Sequence, residues 1–512
     1  MKNKNFKFLT VLSGLLILNV VACTNLDESV LGSKFVNTNT TSSAADLAGV
    51  YSVLNGFTDQ ANLYALQEHT TDEMMGPTRG TDWGDFGTWR KLHQHTWDPF
   101  HNQINATWDQ LNTGVYRATQ VIESATDDQI KAQASFLRAF FMFQVVDLFG
   151  QQPFRNPTDS PDTNPKVMTR SEATDFLIKD LEFAESTLPL GAPGKANKTA
   201  AQALLAKVYL NQAVYKGATL GGPYTFAQAD MDKVIDYCNR VISTSGKFLT
   251  PTYFDNFAPN NSTTSTEEIF VISNDEGNAP GNAQNRYFMT THYNQIPSGW
   301  NGFTTLADFY HSFEPTDQRL GGNRPGLTDK IGLKSGFLVG QQYGPAGKKL
   351  TDRSGNPLIF TEQANLLFAK EADGIRVIKY LPEPNATNDG VVGQPGNDYI
   401  FLRYADVLLM KAEAILRGGN DPQGKTALEL VNDLRSVRGA STLNALDEST
   451  LLAERGRELY WEGWRRNDMI RFGVFNDPVD QRATKSAPTK TLFPIPQRAI
   501  DTNPNLTQNS GY

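Results

Sequence analysis

The chain has 512 residues, with 47 Lys and Arg against 55 Asp and Glu, a formal net charge of −8. This acidic balance argues against nucleic acid as a partner and against a purely electrostatic hold on anionic lipid. Two cysteines, Cys23 and Cys238, are too few for a disulfide framework or a cysteine-based metal site.

Lys2, Lys4 and Lys7 form a positive flank ahead of an apolar run from Phe8 to Val21. That run is too short to span a bilayer comfortably as a helix and has the shape of a secretory signal. It ends in Val20-Val21-Ala22-Cys23, which resembles a bacterial lipobox, with Val20 where leucine is usual. The expectation is a signal peptide over residues 1–22, cleaved so that Cys23 becomes the lipid-bearing first residue. Cleavage removes three lysines and no acid, taking the formal charge from −8 to −11. Acyl chains would hold the protein at a membrane surface without a spanning segment. Cys238 is then the one remaining thiol, expected to be buried and inert.

Helical signals follow in order. Ser43 caps a helix over Ala44–Leu54. After His101, the spacing of Ile104, Trp108, Leu111 and Val115 predicts a long helix. Asp127 or Asp128 begins another, running through Leu137, Phe141 and Val145 to Leu148 and stopping at Gly150. Thr169 with Glu172 makes a capping-box pattern ahead of Phe176, Leu177, Leu181, Ala184 and Leu188, and Thr199 with Gln202 repeats it ahead of Ala203–Val214. Asp230 precedes a helix ending near Gly246.

From about Gly246 to Gly396, Gly, Pro, Asn and Thr become frequent, and helical period returns only around Leu306–Phe313. Glu268–Ile272 and Gly374–Tyr380 read as short strands. Helices resume over Asp406–Leu416, Thr426–Val437 and Ser449–Arg471. The expected fold is mainly α: stacked helix–turn–helix units similar to tetratricopeptide repeats, with a long loop-rich insertion and few short strands. One domain over 23–512 is expected, comprising a helical scaffold (23–245), a ligand-face insertion (246–396) and a helical C-terminal region (397–512). So long an irregular stretch inside a helical protein is where specificity is expected.

Two loop segments combine exposed-looking tryptophan with polar neighbours, the pairing that suits the apolar faces and hydroxyl edges of a neutral sugar. The first is RGTDWGDFGTWR, from Arg79 to Arg90. Trp83 sits there between Asp82 and Gly84, with Arg79 upstream, while Trp89 lies nearer the next helix and suits packing better. The second is HYNQIPSGWNG, from His292 to Gly302, which carries Tyr293, Trp300 and Asn301. Arg376, on the second predicted strand, could supply a hydroxyl-binding fork or form a salt bridge. Trp97, Trp108, Trp461 and Trp464 stand at helical spacing and read as core. So do Phe136, Phe140, Phe141 and Phe143.

Chemistry beyond binding finds little support. His93 and His95, with His69 and His101 near, invite a metal reading, but their spacing completes no known motif and solvated histidines are expected. No phosphate-binding loop, nucleophile elbow or dinucleotide fingerprint is present. Glu454, Glu458 and Glu462, interleaved with Arg455, Arg457, Arg465 and Arg466, predict ion pairs along and between helices. On one helix face they could not flank a sugar ring as a catalytic pair. No catalytic residue, metal or cofactor is assigned.

Several ordered stretches carry a family resemblance: YIFLRYADVLLMKAEA from Tyr399, LVNDLRSVRG from Leu430, ERGRELYWEGWRRNDMIRFG from Glu454, FPIP from Phe493 and NPNLTQNSGY from Asn503. SFLRAFFMF from Ser135 and DLFG from Asp147 agree with them. Together they resemble the SusD/RagB family of outer-membrane nutrient-uptake lipoproteins, with Ser510 standing where that family usually has proline. The resemblance implies a tetratricopeptide-like scaffold and a loop-rich ligand face that includes the segment around Trp300. It also implies a lipid anchor at the outer membrane, facing the cell exterior, and docking on a SusC-like TonB-dependent transporter. A non-enzymatic oligosaccharide-binding protein is the expectation. A peptide- or protein-binding member of the same scaffold and a surface glycoside hydrolase are the alternatives.

Overall fold

The computed structural model describes residues 42–274, 280–383 and 395–512. The signal segment and Cys23 lie outside the described residues.

Helix α1 (Asn102–Ser124) buries Ile104, Trp108, Leu111 and Val115 along one stripe, as their spacing predicts. Helix α2 (Asp128–Leu148) is capped by the Asp127 side chain, which accepts from the Gln129 amide, and is buried on every side from Ala134 onward. A helix apolar all round needs neighbours on all its faces, and α2 has them. It ends against Gly150, whose φ of +72° is left-handed. Strands β1 (Gln151–Phe154) and β2 (Lys166–Thr169) follow as a small antiparallel pair. The capping box at Thr169 and Glu172 starts α3 (Arg170–Thr187).

Helix α4 (Lys198–Leu210) begins earlier than expected. Its cap is Asn197, whose side chain accepts from the Ala200 amide. Asn is as good a cap as Thr, and here it holds the extended backbone that a cap requires. Thr199 and Gln202 therefore fall inside the helix, where Gln202 donates to Glu185 at 2.9 Å.

Helix α5 is Gln228–Thr244, α6 Tyr404–Leu416 and α7 Ala427–Val437, the last capped by Thr426 and Glu429 as a second capping box. From α1 to α7 each helix packs on the one before it and the one after it. The α5–α6 contact spans the insertion, so the helical stack is interrupted in sequence but continuous in space. The insertion is tied at its neck by β3 (Glu268–Ile272) pairing antiparallel with β6 (Tyr399–Arg403). Within it, β4 (Ser335–Leu338) pairs with β5 (Arg376–Ile378).

The helix expected over Ser449–Arg471 is two: α8 (Glu448–Leu459) and α9 (Arg465–Arg471). Between them Trp461 and Gly463 take left-handed φ values of +57° and +83°. Tertiary hydrogen bonds replace the helical ones. The Trp461 amide donates to the Glu73 carboxylate at 3.1 Å, its indole N–H to the Glu73 main-chain oxygen at 3.1 Å, and the Gly463 amide to Glu68 at 2.6 Å.

The acidic and basic residues of this region form a buried network. Glu458 bonds Arg403 at 2.7 Å, Arg438 at 2.8 Å and Arg319 at 3.1 Å, and Glu454 bonds Arg319 at 2.7 Å. Glu462, released from the helix by the break, pairs with Lys379 at 2.6 Å and Arg403 at 2.7 Å. Arg319 and Lys379 belong to the insertion, so these pairs fasten the root of the insertion to the C-terminal helices. Burial opposes ionisation of Glu454, but Arg319, Arg457 and Arg435 outweigh it and hold the carboxyl at about 2.

The histidines are buried, not solvated: His69, His93, His95 and His101 are all at most 5% exposed. His93, His95 and His101 each have at least one ring nitrogen bonded inside the protein, whereas His69 is held by ring packing. His95 bonds the Thr70 carbonyl at 2.8 Å and stacks on Phe475, and His69 packs edge-on to Phe303. Burial pushes His69 down to about 3 and His93 to about 4, so both are neutral at ordinary pH. Among the described residues no group of three or more His, Cys, Asp or Glu is placed to hold a metal ion. Cys238 is buried, and burial pushes its thiol up. Trp97, Trp108, Trp461 and Trp464 are core. No helix among the described residues is long and apolar enough to cross a membrane.

Candidate ligand-binding surface

The two tryptophan-bearing loops lie against one another. An isolated β-bridge between Met75 and Thr304 sets the loops side by side, while Arg79 pairs with Asp82 within the first loop and with Ala369 of a third segment. The Trp83 indole N–H donates to the main-chain oxygen of Trp300 at 3.0 Å. Trp83 then rests edge-on against buried Phe303, with ring centroids 4.9 Å apart, and lies 6.0 Å from Trp89. Trp300 is 39% exposed and tilts against half-buried Phe288 at 5.8 Å. Trp83 is half-buried. Neither tryptophan is sealed inside.

Polar groups rim these rings. The Tyr293 hydroxyl donates to Asp82 at 3.0 Å, and the Arg353 guanidinium lies over the Tyr293 ring at 4.2 Å. Arg353 also reaches Asp82 at 3.6 Å and Glu371 at 2.8 Å while keeping about half of its side chain in solvent (54%). Behind it His292 bonds Glu371 at 2.6 Å. The Asn294 amide donates to His292 Nδ1 at 3.0 Å, so Nε2 carries the proton and donates to the carboxylate. Burial outweighs Glu371 and holds His292 down at about 4, in keeping with this neutral form.

Four of the residues singled out in the sequence stand behind the surface rather than on it. Arg376 is fully buried, neither a free fork nor the salt bridge that was its alternative. It donates to the main-chain oxygens of Asp373 and Gly374 at 2.7 Å, of Glu371 at 3.0 Å, and to the Asn301 side chain at 2.9 Å. Asn301 is buried too and donates to the Glu371 carbonyl at 2.9 Å. Arg79 is 5% exposed and bonds the carbonyls of Gly302, Lys370 and Asp373. Trp89 is 6% exposed, its indole N–H on the Asp85 carboxylate. Loop carbonyls have no strand partners, and buried guanidinium groups supply the missing donors. The loops bearing Trp83 and Trp300 are thereby held from beneath.

Left-handed backbone marks both loops. Trp83 has φ +60°, in a region that costs a bulky side chain about 1–2 kcal/mol, and Asn301 has φ +52°, which asparagine adopts more readily. Strain held in place by tertiary contacts is a common mark of a functional surface. Arg353, Glu371, His292 and Phe288 were not singled out in the sequence. Arg353 and Glu371 come to the site through contacts distant in the chain, Phe288 and His292 lie beside or within the Trp300 loop, and in none does residue type alone carry a signal.

A model of the SusD family matches residues 361–512, and one described as "Starch-binding associating with outer membrane" matches residues 33–210, together more than half of the chain. The starch-binding protein SusD of Bacteroides thetaiotaomicron is 26% identical over 476 residues, 82% of this chain and 81% of that protein. SusD-like protein P2 of Formosa agariphila is 24% identical over 545 residues, 97% of this chain and 98% of that one. Among solved structures, a SusD superfamily protein from Parabacteroides distasonis superposes with a TM-score of 0.72 at 19% identity, covering 93% of this chain and 100% of that one. Surface glycan-binding protein A from Bacteroides thetaiotaomicron, in complex with laminarihexaose, gives 0.67 at 19% identity, covering 91% and 98%. These superpositions show a shared fold.

Proposed function

We propose, on the premise that this chain belongs to the SusD/RagB family, that it binds an oligosaccharide at the outer membrane without chemically changing it. A pyranose ring lies with its C–H face on the exposed indole of Trp300 and its neighbour against Trp83 or Tyr293. Hydroxyl edges take hydrogen bonds from Arg353 and give them to Asp82 and Glu371. The observation that carries this reading is the Trp83–Trp300 hydrogen bond, which fixes two partly exposed indoles beside a charged rim. The names of the relatives, a starch-binding protein and a glycan-binding protein in complex with laminarihexaose, agree in ligand class.

The surface is shared between the loop at residues 79–90 and the insertion at 246–396, with Arg79, Arg376, Asn301 and Trp89 as positioning residues. Lipidation at Cys23 would hold the protein at the membrane, facing the exterior. A SusC-like TonB-dependent transporter would take the ligand onward. Affinity on the order of micromolar to millimolar suits that handover, because each hydroxyl exchanges water for protein with little net gain.

Hydrolysis fits the rim poorly. Burial raises the Glu371 carboxyl, but the hydrogen bonds from Arg353 outweigh it and keep it below its usual range. A general acid for glycoside cleavage needs the opposite shift. The test is an oligosaccharide array probed with protein lacking residues 1–23, in wild-type and Trp300→Ala forms. Saturable binding without released sugar, lost in the variant, supports the reading. An array blank for glycans but positive for peptides replaces it with peptide binding.

A further inference from the structure

The turn between Trp83 and Trp89 carries an aromatic ring that the surface described above does not use. Phe86 is fully exposed, at 104% of its reference area, the most exposed of the large apolar side chains among the described residues. Its backbone is left-handed (φ +53°, ψ +25°), as are those of Trp83 (φ +60°), Asp85 (φ +36°) and Gly87 (φ +82°). An apolar ring in water and a strained backbone are each unfavourable, and here they coincide on one residue.

The turn is braced, not slack. The Gly87 amide donates to the Gly84 carbonyl at 2.6 Å, and the Thr88 hydroxyl to the Asp85 carbonyl at 2.7 Å. On one side the Asp85 carboxylate accepts the Trp89 indole N–H, and on the other Trp83 is held by the Trp300 carbonyl. With both flanks fixed, the turn holds the Phe86 ring out in solvent three residues from Trp83. Gly80, Thr81 and Asp85 of the same loop are exposed as well.

We propose that Phe86 is a specificity-determining residue that offers an apolar face to a sugar unit beyond those on Trp300 and Trp83. This rests on the glycan-binding reading of that surface. Isolated aromatic faces among hydrogen-bonding groups match the alternation of C–H faces and hydroxyl edges along a sugar chain. A ligand long enough to reach Phe86 gains that contact, and a short one does not. The ring thus reads chain length and curvature.

The test is titration calorimetry with malto-oligosaccharides and laminari-oligosaccharides, from disaccharide to heptasaccharide, on wild-type, Phe86→Ala, Phe86→Tyr and Trp300→Ala proteins. Phe86→Ala is expected to weaken the longest bound oligosaccharide about tenfold and the shortest less than twofold, with the melting temperature unchanged. Phe86→Tyr, which keeps the flat face, restores the long-chain affinity. Trp300→Ala weakens every length. Equal effects of Phe86→Ala at all lengths, or none at any, overturn the role given to Phe86 while leaving the Trp300 surface standing. Absence of wild-type binding to both series, or a Trp300→Ala variant that binds normally, overturns the underlying reading and this proposal with it.

Discussion

Trp83 and Trp300 are 217 positions apart in the chain, yet the indole N–H of the first ends on the main-chain oxygen of the second. One ring is thereby fixed as part of the support, half-buried on Phe303, and the other is left as the exposed face. The two should respond differently to truncation. Trp300 is 39% exposed and packs on Phe288, so Trp300→Ala is expected to cost about 1–2 kcal/mol of stability while glycan affinity falls at least about tenfold. Trp83→Ala, which removes the contacts with Phe303 and Trp89 and the hydrogen bond to Trp300, is expected to cost more stability, about 2–4 kcal/mol, and to lower affinity as well. Thermal melts beside calorimetric titrations separate the two.

Arg376 offers a second distinction. Its guanidinium serves three main-chain oxygens and Asn301 from a fully buried position. Arg376→Met takes the donor from the Gly374 carbonyl and the Asn301 side-chain oxygen and leaves the Asp373 and Glu371 carbonyls to Arg79 and Asn301 alone, at an expected cost of about 2–4 kcal/mol in chemical denaturation, with weaker glycan binding following from the loosened loops. A variant of wild-type stability that had lost binding would instead place Arg376 in direct contact with ligand.

The ion network should be strongly cooperative with the fold. Glu458 faces Arg319, Arg403 and Arg438, all buried. Glu458→Gln leaves their charges undercompensated and is expected to destabilise by about 3–5 kcal/mol in urea titration. A loss below about 1 kcal/mol would show that the network relaxes or hydrates around the change.

Two carboxyls predict opposite pH dependences. Glu454 is held at about 2 against an ordinary 4.5, so its stabilisation is fully present above 4.5 and is lost as pH falls from 4.5 towards 2. Glu68 is pushed the other way, to about 7, chiefly by burial. Its folded form binds a proton more tightly than the unfolded chain, so stability falls as pH rises from 4.5 to about 7. Glu68→Gln keeps an oxygen for the Gly463 amide but cannot ionise. Its stability relative to wild type is expected to improve by about 1–3 kcal/mol between about pH 4.5 and about pH 8, read from denaturation midpoints.

The helical scaffold was legible where its signals were local. The capping boxes at Thr169 and Thr426, and the apolar stripe from Ile104 to Val115, each lie within a few turns of chain. The break between α8 and α9 was not, because its cause is a hydrogen bond from Trp461 to Glu73, 388 positions away. The histidines misled for a related reason: a polar side chain shows in sequence its wish for water but not the internal partners that replace water. At the surface, Trp83 and Trp300 stood out as large rings among Gly and Asp. Arg79, Asn301 and Arg376 were found as residue types suited to ligand, yet the same donors suit bare loop carbonyls, and only the packing decides between the two uses. Arg353 and Glu371 are ordinary charged loop residues until the fold brings them beside Tyr293.

The most direct test of the account is a crystal structure of the protein with the tightest-binding oligosaccharide from the array. The account predicts a sugar ring lying flat on the Trp300 indole, with a hydroxyl on Arg353 or Asp82. An oligosaccharide bound elsewhere, with Trp300 uncovered, would contradict it.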